Sequence, residues 1–216
     1  MRILLVGASS SIAQEYYNLY SSSDEIYRTS SMNSDLLIHL DAEDETTYTN
    51  LSIDYDRIIC FIGYTPDVKD NYSFEELKKI VNINFIFPLN LIKYILYSNQ
   101  NQNLFLQVVT SVASIRGRKL NFEYGAAKAA LGIALSGLSQ KYPEISIQEI
   151  VLGPVRTKKV PIHQTPDFLV SKPVMVAKMI NNSFRNKSKI YIPFYWRYIA
   201  LILKNIPIQI YRKLNF

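Results

Sequence analysis

Four short apolar runs, each halted by a residue with little or no side chain, constrain the fold more than anything else in the chain. Ile3-Leu4-Leu5-Val6 stops at Gly7, Ile58-Ile59-Cys60-Phe61-Ile62 at Gly63, Val108-Val109-Thr110 at Ser111, and Ile150-Val151-Leu152 at Gly153. Runs that are apolar throughout, rather than at alternate positions, are what a strand buried on both faces requires. Strand patterns fall at about 2–6, 25–29, 36–40, 57–62, 104–110, 145–151 and 188–193. Helical patterns lie between them, at about 11–21, 44–51, 73–98, 124–141 and 171–185. This alternation predicts right-handed βαβ units and a doubly wound α/β architecture: one parallel sheet of about seven strands, covered on both faces. Ligands of such sheets bind beyond the carboxyl ends of the strands, and all four halting residues lie there. A chain of 216 residues has ample core for one domain, and it contains no repeat, linker or low-complexity segment.

A second pattern occupies the same rim. Tyr124-Gly125-Ala126-Ala127-Lys128 sets a phenol and an ammonium one helical turn apart. Ser111 precedes Tyr124 by 13 residues, and Asn84 precedes Ser111 by 27. A free tyrosine titrates near pH ~10. A cation one turn away favours phenolate and moves the group toward working pH, as suits a proton donor to an alkoxide or a base for an alcohol. Ser111 is placed to hold the substrate oxygen and stabilise charge on it. In these four residues and their intervals the chain resembles the short-chain dehydrogenase/reductase family, whose Asn-Ser-Tyr-Lys tetrad has the same spacing. The resemblance implies a Rossmann-type fold, a nicotinamide cofactor, and a catalytic set of Asn84, Ser111, Tyr124 and Lys128. It further implies that Lys128 holds the nicotinamide ribose hydroxyls and that Asn84 anchors a proton-relaying water.

The same resemblance extends to the cofactor loops. Gly7-Ala8-Ser9-Ser10-Ser11-Ile12-Ala13 stands where the family has Gly-x-x-x-Gly-x-Gly, whose backbone amides face a pyrophosphate. Only Gly7 is retained; Ser11 and Ala13 replace the later glycines. Gly7, Ser9, Ser10, Ser11 and Ile12 are therefore assigned to the cofactor, with either the Ser11 hydroxyl among the phosphate contacts or the loop slightly displaced. The second strand ends in Tyr27-Arg28-Thr29-Ser30-Ser31, without a carboxylate to grip the adenosine ribose. Arg28, Ser30 and Ser31 suit a 2'-phosphate, which favours NADP(H) over NAD(H). Asp41 resembles the family aspartate that accepts from the adenine amine; a solvated acidic loop is the alternative. Gly63 keeps its place in the family's Asn-Ala-Gly turn, with Phe61 where the asparagine stands. Leu152-Gly153-Pro154-Val155-Arg156-Thr157 matches Pro-Gly-x-Val-x-Thr apart from Leu152, so Val155 and Thr157 take the nicotinamide carboxamide. The resemblance spans about residues 1–193.

Charge sets the end of the chain apart. The net charge is +6, yet residues 1–150 hold 12 basic and 17 acidic side chains, whereas residues 151–216 hold 12 basic side chains and a single acid, Asp167. After Tyr191, aromatic and aliphatic residues alternate with Arg197, Lys204, Arg212 and Lys213. They predict two basic amphipathic helices bent at Pro207, each far below the ~20 apolar residues a spanning helix needs. Such a tail, residues 194–216 after a catalytic domain of 1–193, suits an anionic membrane surface; the alternative is that it covers the domain's own core or a dimer interface. Nucleic acid is disfavoured because no reading motif accompanies the charge. Helices 82–98 and 124–141 carry Phe85, Phe87, Leu89, Leu91, Leu131, Leu135 and Leu138, more apolar surface than one side of a sheet needs. With the family's habit of pairing these helices, that predicts a homodimer.

Cys60, the only cysteine, rules out an intramolecular disulfide and fits a reducing cytosol. A first strand at residue 2 leaves no room for a leader, so a cytoplasmic location, on the inner membrane face if the tail binds there, is expected. His39 and His163, without a Cys/His cluster, give no metal signal. The C-terminal part also resembles small family members from bacterial surface-polysaccharide loci and the polyprenyl-phosphate keto-sugar reductases. That implies a phosphorylated or lipid-linked sugar, with residues 156–173, including Lys158 and Lys159, as a lid. Two further readings stay open: a soluble reductase of an unrelated small carbonyl compound, and a catalytically silent dinucleotide-binding sensor or scaffold.

Overall fold

The computed structural model describes residues 1–31, 37–49, 51, 54–67, 71–98, 101, 103–119, 121–157, 166–185 and 188–213. Its strands are β1 (Arg2–Val6), β2 (Glu25–Ser30), β3 (Ile38–His39), β4 (Arg57–Cys60), β5 (Phe105–Ser111), β6 (Ser146–Leu152) and β7 (Lys189–Ile192). They form one sheet in the order β3-β2-β1-β4-β5-β6-β7, with every pairing parallel. The helices are α1 (Ser11–Tyr20), α2 (Phe74–Val81), α3 (Phe87–Ser98), α4 (Phe122–Lys141), α5 (Pro173–Asn182), α6 (Trp196–Asn205) and α7 (Ile208–Tyr211). The strand order reverses between β1 and β4, which opens the crevice where such sheets take ligands.

Alternation along each strand builds two cores. Leu4, Val6, Ile58, Cys60, Leu106, Val108 and Ile147 pack toward α3 and α4. Ile3, Leu5, Ile59, Val109 and Ile150 pack toward α1 and α5. Within the second layer lies a fully buried arginine. Arg57 donates through Nε to Gln107 Oε1 (2.8 Å), through Nη1 to Tyr16 Oη and Asn181 Oδ1 (both 2.9 Å), and through Nη2 to the Ile180 carbonyl (2.9 Å). Neutral acceptors thus satisfy the guanidinium, and two of them tie the C-terminal end of α5 to the sheet.

Three expectations need correction. The helix expected at 44–51 is a single 3-10 turn, Glu45–Tyr48. Asp44 Oδ1 accepts the Thr46 amide (2.9 Å), and the Thr47 hydroxyl donates to the Asp44 carbonyl (2.7 Å); such local bonds compete with a longer helix. The stretch 73–98 is helical, but a π turn at Asn82–Ile86 divides α2 from α3. Finally, the residues assigned to a dimer face mostly face inward. Phe87, Leu91, Leu131, Leu135 and Leu138 are buried in the first core, and Phe85 and Leu89 pack against it. By length and composition Phe74–Ser98 is apolar enough to cross a bilayer, yet Phe87, Leu91, Ile92, Ile95 and Leu96 are used to cover the sheet.

The tail forms the two expected helices, and one side of it docks. Trp196, 4% exposed, packs with Val112 and Val151, joined by Tyr195 and Ile199. Arg116 Nη1 donates to the Leu203 carbonyl (2.9 Å) and the Ile206 carbonyl (2.5 Å), so it caps the end of α6. The Arg116 guanidinium stands 4.0 Å from the centre of the Tyr211 ring, and Tyr211 Oη donates to the Gly117 carbonyl (2.9 Å). On the other side Phe194, Tyr198, Leu201, Ile202, Ile208 and Ile210 are exposed, beside exposed Arg197, Lys204, Arg212 and Lys213.

Candidate active site

The carboxyl ends of β1, β4, β5 and β6 bring the four halting residues onto one rim. Gly7 has φ +86°, and a side chain there would meet Ile62 N at 3.3 Å and the Phe61 carbonyl carbon at 3.4 Å. Both the left-handed backbone and the close approach to the β4 exit require glycine. The turn is tied to β2, since Gly7 N–H donates to Thr29 Oγ1 (3.2 Å) and Ala8 N–H to the Thr29 carbonyl (2.8 Å). The Ser10 side chain does not cap α1. The first-turn amides of Ser11, Ile12 and Ala13 therefore have no intrahelical acceptor, which is the arrangement that receives an anion.

At the β5 exit stand the tetrad residues. Gly125 lets α4 press against the turn after Ser111, for a Cβ at that position would lie 2.6 Å from the Ala113 carbonyl oxygen. This contact brings Tyr124 to Ser111. Burial raises the pKa of the Tyr124 phenol, and hydrogen bonding by the Ser111 and Thr65 hydroxyls, with the Arg118 charge nearby, works against that rise. Lys128 is fully buried; its Nζ donates to the Ile62 carbonyl (2.8 Å) and the Val109 carbonyl (3.4 Å). Burial lowers its pKa to about 8.

Asn84 sits in the π turn with no exposed surface. Its Oδ1 accepts the Tyr64 amide (3.0 Å), and its Nδ2 donates to the Tyr64 carbonyl (2.8 Å) and the Ile80 carbonyl (2.9 Å). Both amide hydrogens are thus committed to main chain, and the side chain fixes the loop that leaves β4. Gly63 fits between the two, since a Cβ there would stand 3.4 Å from Lys128 Nζ and 3.6 Å from Asn84 Oδ1. Phe61, in the family's asparagine position, is buried in the second core; Asn84 and Lys128 supply the polar anchoring of this loop instead.

The β6 exit completes the rim. Arg156 N–H donates to the Ser171 carbonyl and Ser171 N–H to the Pro154 carbonyl (both 2.9 Å), bridging Val155 to Ser171. In a parallel bridge the central residue turns its own N–H and C=O to the opposite side, which leaves those of Val155 available to a ligand. Gly153 is pressed by the indole of Trp196, so only glycine fits there. Thr157 is half-buried, and residues 158–165, with Lys158, Lys159 and His163, lie outside the described residues.

The adenosine-side assignments scatter more widely. Arg28 lies on the Tyr17 ring, 3.8 Å from its centre, which aims the guanidinium along α1. Ser30 is buried and Ser31 exposed at the β2 end; Ser9 is exposed and Ser10 half-buried. Asp41, beyond β3, accepts the Glu43 amide at Oδ1 (2.9 Å), a local turn that occupies one of its oxygens. Four residues at or around the site escaped the sequence pattern: Thr29, Thr65, Gly125 as a spacer of fixed size, and Arg118. Only Gly125 and Arg118 had any signal, by lying between or beside members of the tetrad.

No protein-family model matches the chain. Among solved structures, it is similar to a short-chain dehydrogenase from Burkholderia cenocepacia in complex with NADP, at TM-score 0.82 and 13% identity over 99% of this chain and 96% of that one. A short-chain dehydrogenase/reductase family protein matches at TM-score 0.76 and 17% identity, over 88% and 94% of the two chains. A 4-hydroxyisoleucine dehydrogenase complexed with NADH matches at 0.73 and 18%, over 88% and 95%. The fold is that of the short-chain dehydrogenase/reductases, over nearly the whole chain.

Proposed function

We propose that this chain is a nicotinamide-dependent oxidoreductase of the short-chain dehydrogenase/reductase kind, which interconverts a carbonyl and a hydroxyl compound with NADP(H) in preference to NAD(H). The observation that carries this reading is the Tyr124 phenol, held beside Ser111 and one helical turn from buried Lys128, on the same rim as the left-handed Gly7 turn. The residues fit the cofactor: the uncapped first turn of α1 offers amides to a pyrophosphate, and the Val155 N–H and C=O match a carboxamide. When bound, the nicotinamide supplies or accepts the hydride. Tyr124 donates its proton to the developing alkoxide in reduction, or takes it from the alcohol in oxidation. Ser111 holds the substrate oxygen. Lys128, with two carbonyls already on its Nζ, has one further donor for the ribose hydroxyls. Asn84 positions the β4 loop over Lys128.

The finer reading is a phosphorylated or lipid-linked sugar as substrate, met at the surface of an anionic membrane. The exposed apolar and basic side of the tail supports the membrane contact. A homodimer through α3 and α4 is retained on different residues from those the sequence suggested: Tyr97 of α3, Phe122 and Ile133 of α4, and Ile86 of the π turn before α3 are exposed apolar groups on this side.

Calorimetry should give tighter binding of NADPH than NADH, by about 1.5–3 kcal/mol if a charge-assisted contact holds the 2'-phosphate, and Arg28→Ala should narrow that gap. Tyr124→Phe should keep NADPH affinity and lose turnover on any ketone the wild-type protein reduces. Because burial keeps the phenol protonated through neutrality, carbonyl reduction should be flat there and fall only in alkali, while alcohol oxidation should climb with pH. A Tyr124→Phe protein that still turns over, or a wild type that binds neither nucleotide, would end this reading.

A further inference from the structure

The turn that carries Ser111 is held from two sides, and one of them is the tail. Val112–Ser114 is a 3-10 turn closed on itself. Ser111 Oγ accepts the Ala113 amide (3.2 Å), the Ser114 hydroxyl donates to the Ser111 carbonyl (2.6 Å), and Ile115 N–H donates to the Val112 carbonyl (3.2 Å). A segment tied this closely moves as a unit, so whatever holds its far end also places Ser111. On the inner side the Ala113 carbonyl seats α4 at Gly125. On the outer side Val112, with Ile115 beside it, packs on Trp196 of α6. Arg116 comes next. Its Nη1 donates to the Leu203 and Ile206 carbonyls (2.9 and 2.5 Å), and its guanidinium lies 4.0 Å from the centre of the Tyr211 ring. Tyr211 Oη donates in turn to the Gly117 carbonyl (2.9 Å), which closes the link between loop and tail. Water would satisfy the last carbonyls of a surface helix. What the arginine adds is a fixed distance between α6 and the turn.

We propose that Arg116 is a positioning residue for the reaction: through it α6 and α7 hold the Ser111 turn against α4, and so keep the Ser111 hydroxyl on the Tyr124 phenol. The tail is thereby part of the active site as well as an outer surface. Arginine suits the place because one planar group donates to two carbonyls while its face lies on a ring, which an ammonium cannot do. Its cation also stands at the end of α6 where the helix dipole favours positive charge. The inference rests on the oxidoreductase reading for the roles of Ser111 and Tyr124, and on the contacts of the turn for the coupling itself.

The test follows Tyr124 itself and needs no substrate. In full-length protein with carbon-labelled tyrosine, the Tyr124 Cζ resonance is the one missing from Tyr124→Phe, and its pH titration reports the phenol. The Ser111 hydroxyl works against the rise that burial causes, so Ser111→Ala should titrate higher than wild type. Arg116→Met should move the titration the same way. The double variant should titrate where Ser111→Ala alone does, because the arginine acts through the serine. Tyr211→Leu leaves every charge in place while it removes the ring and the bond to Gly117. It should also raise the titration, and it carries the test if Arg116→Met does not fold. On any ketone the wild type reduces, Arg116→Met should lose about tenfold to a hundredfold in kcat with NADPH affinity unchanged. A merely structural role would lower the melting temperature and leave Tyr124 alone. An unmoved titration in the folded variants therefore overturns the proposal, as does a double variant that shows the sum of the two single shifts. A wild type that binds neither nucleotide sinks the oxidoreductase reading instead, and non-additive titrations in that protein uphold this one.

Discussion

Lys128 shows how a single buried group links the site to the stability of the fold. Its ammonium is surrounded by main-chain carbonyls rather than carboxylates, and desolvation lowers its pKa from the ordinary 10.5 to about 8. Between those values the unfolded chain holds more proton than the folded one, so this group makes the protein more stable as pH rises through that window. Below about pH 8 the folded state carries the full cost of the buried charge, roughly 3 kcal/mol. Denaturant melts of wild type and Lys128→Met at neutral and alkaline pH should differ by a gap that shifts by this amount in favour of the wild type as pH rises. Tyr16, with its pKa raised to about 12 by burial, and Tyr124 act in the opposite sense above pH ~10, which is why only the difference between the two proteins is diagnostic. A gap independent of pH would mean that the ammonium is hydrated. The interval to Tyr124 was legible in the sequence; the depth of burial was not, because the β4 loop that covers Lys128 is held there by Asn84, far away in the chain.

At the scale of elements, α4 reaches its place through the absence of one side chain. Gly125 faces the Ala113 carbonyl oxygen, and a methyl at 2.6 Å would push the helix away from the turn that carries Ser111. Gly125→Ala should therefore lower stability by about 1–3 kcal/mol and depress turnover far more than NADPH affinity, because it separates Tyr124 from Ser111 while leaving the Gly7 turn untouched. Thermal melts and single-turnover rates measure the two parts. A variant with normal turnover would mean that α4 does not set the Tyr124–Ser111 contact. The π turn before α3 follows the same logic. An apolar helical pattern ran through residues 73–98 without interruption, yet the extra residue in that turn brings Asn84 inside to hold Tyr64. Hydrophobic periodicity reports which residues share a face, and it is blind to one turn wound more loosely than its neighbours.

For the whole molecule, the tail joins inner packing to an outer surface. Full-length protein should co-sediment with anionic vesicles at low salt and be released as salt rises, with each basic residue near the surface contributing about 1 kcal/mol. Leu201→Asp with Ile202→Asp, on the exposed side of α6, should abolish binding without changing the melting temperature. Trp196 emission should stay constant throughout, because its indole is buried against Gly153 and Val112 and has no path to the lipid. A blue shift on vesicle addition would show that α6 undocks, and indifference to anionic vesicles would end the membrane reading. Deleting residues 194–216 is a poor substitute, since it would also strip the cover from Val112 and Val151.

The sequence by itself determined the strand and helix alternation, the rim of Gly7, Gly63, Ser111 and Gly153, and the Asn84–Ser111–Tyr124–Lys128 intervals. These depend on local periodicity and on side-chain types whose chemistry does not change with context. Tertiary structure alone decided that the leucines of α3 and α4 belong to the core, that Trp196 turns inward while Leu201 turns outward, and that buried Arg57 finds an acceptor for every nitrogen. Each of those outcomes depends on what the opposite surface offers: a sheet to cover, a glycine to press against, or an acceptor within reach. An amphipathic helix has the same pattern whether its apolar side meets its own sheet, a second copy or a lipid. A guanidinium reads the same in sequence whether buried acceptors or open water surround it, and only the folded chain brings those partners together.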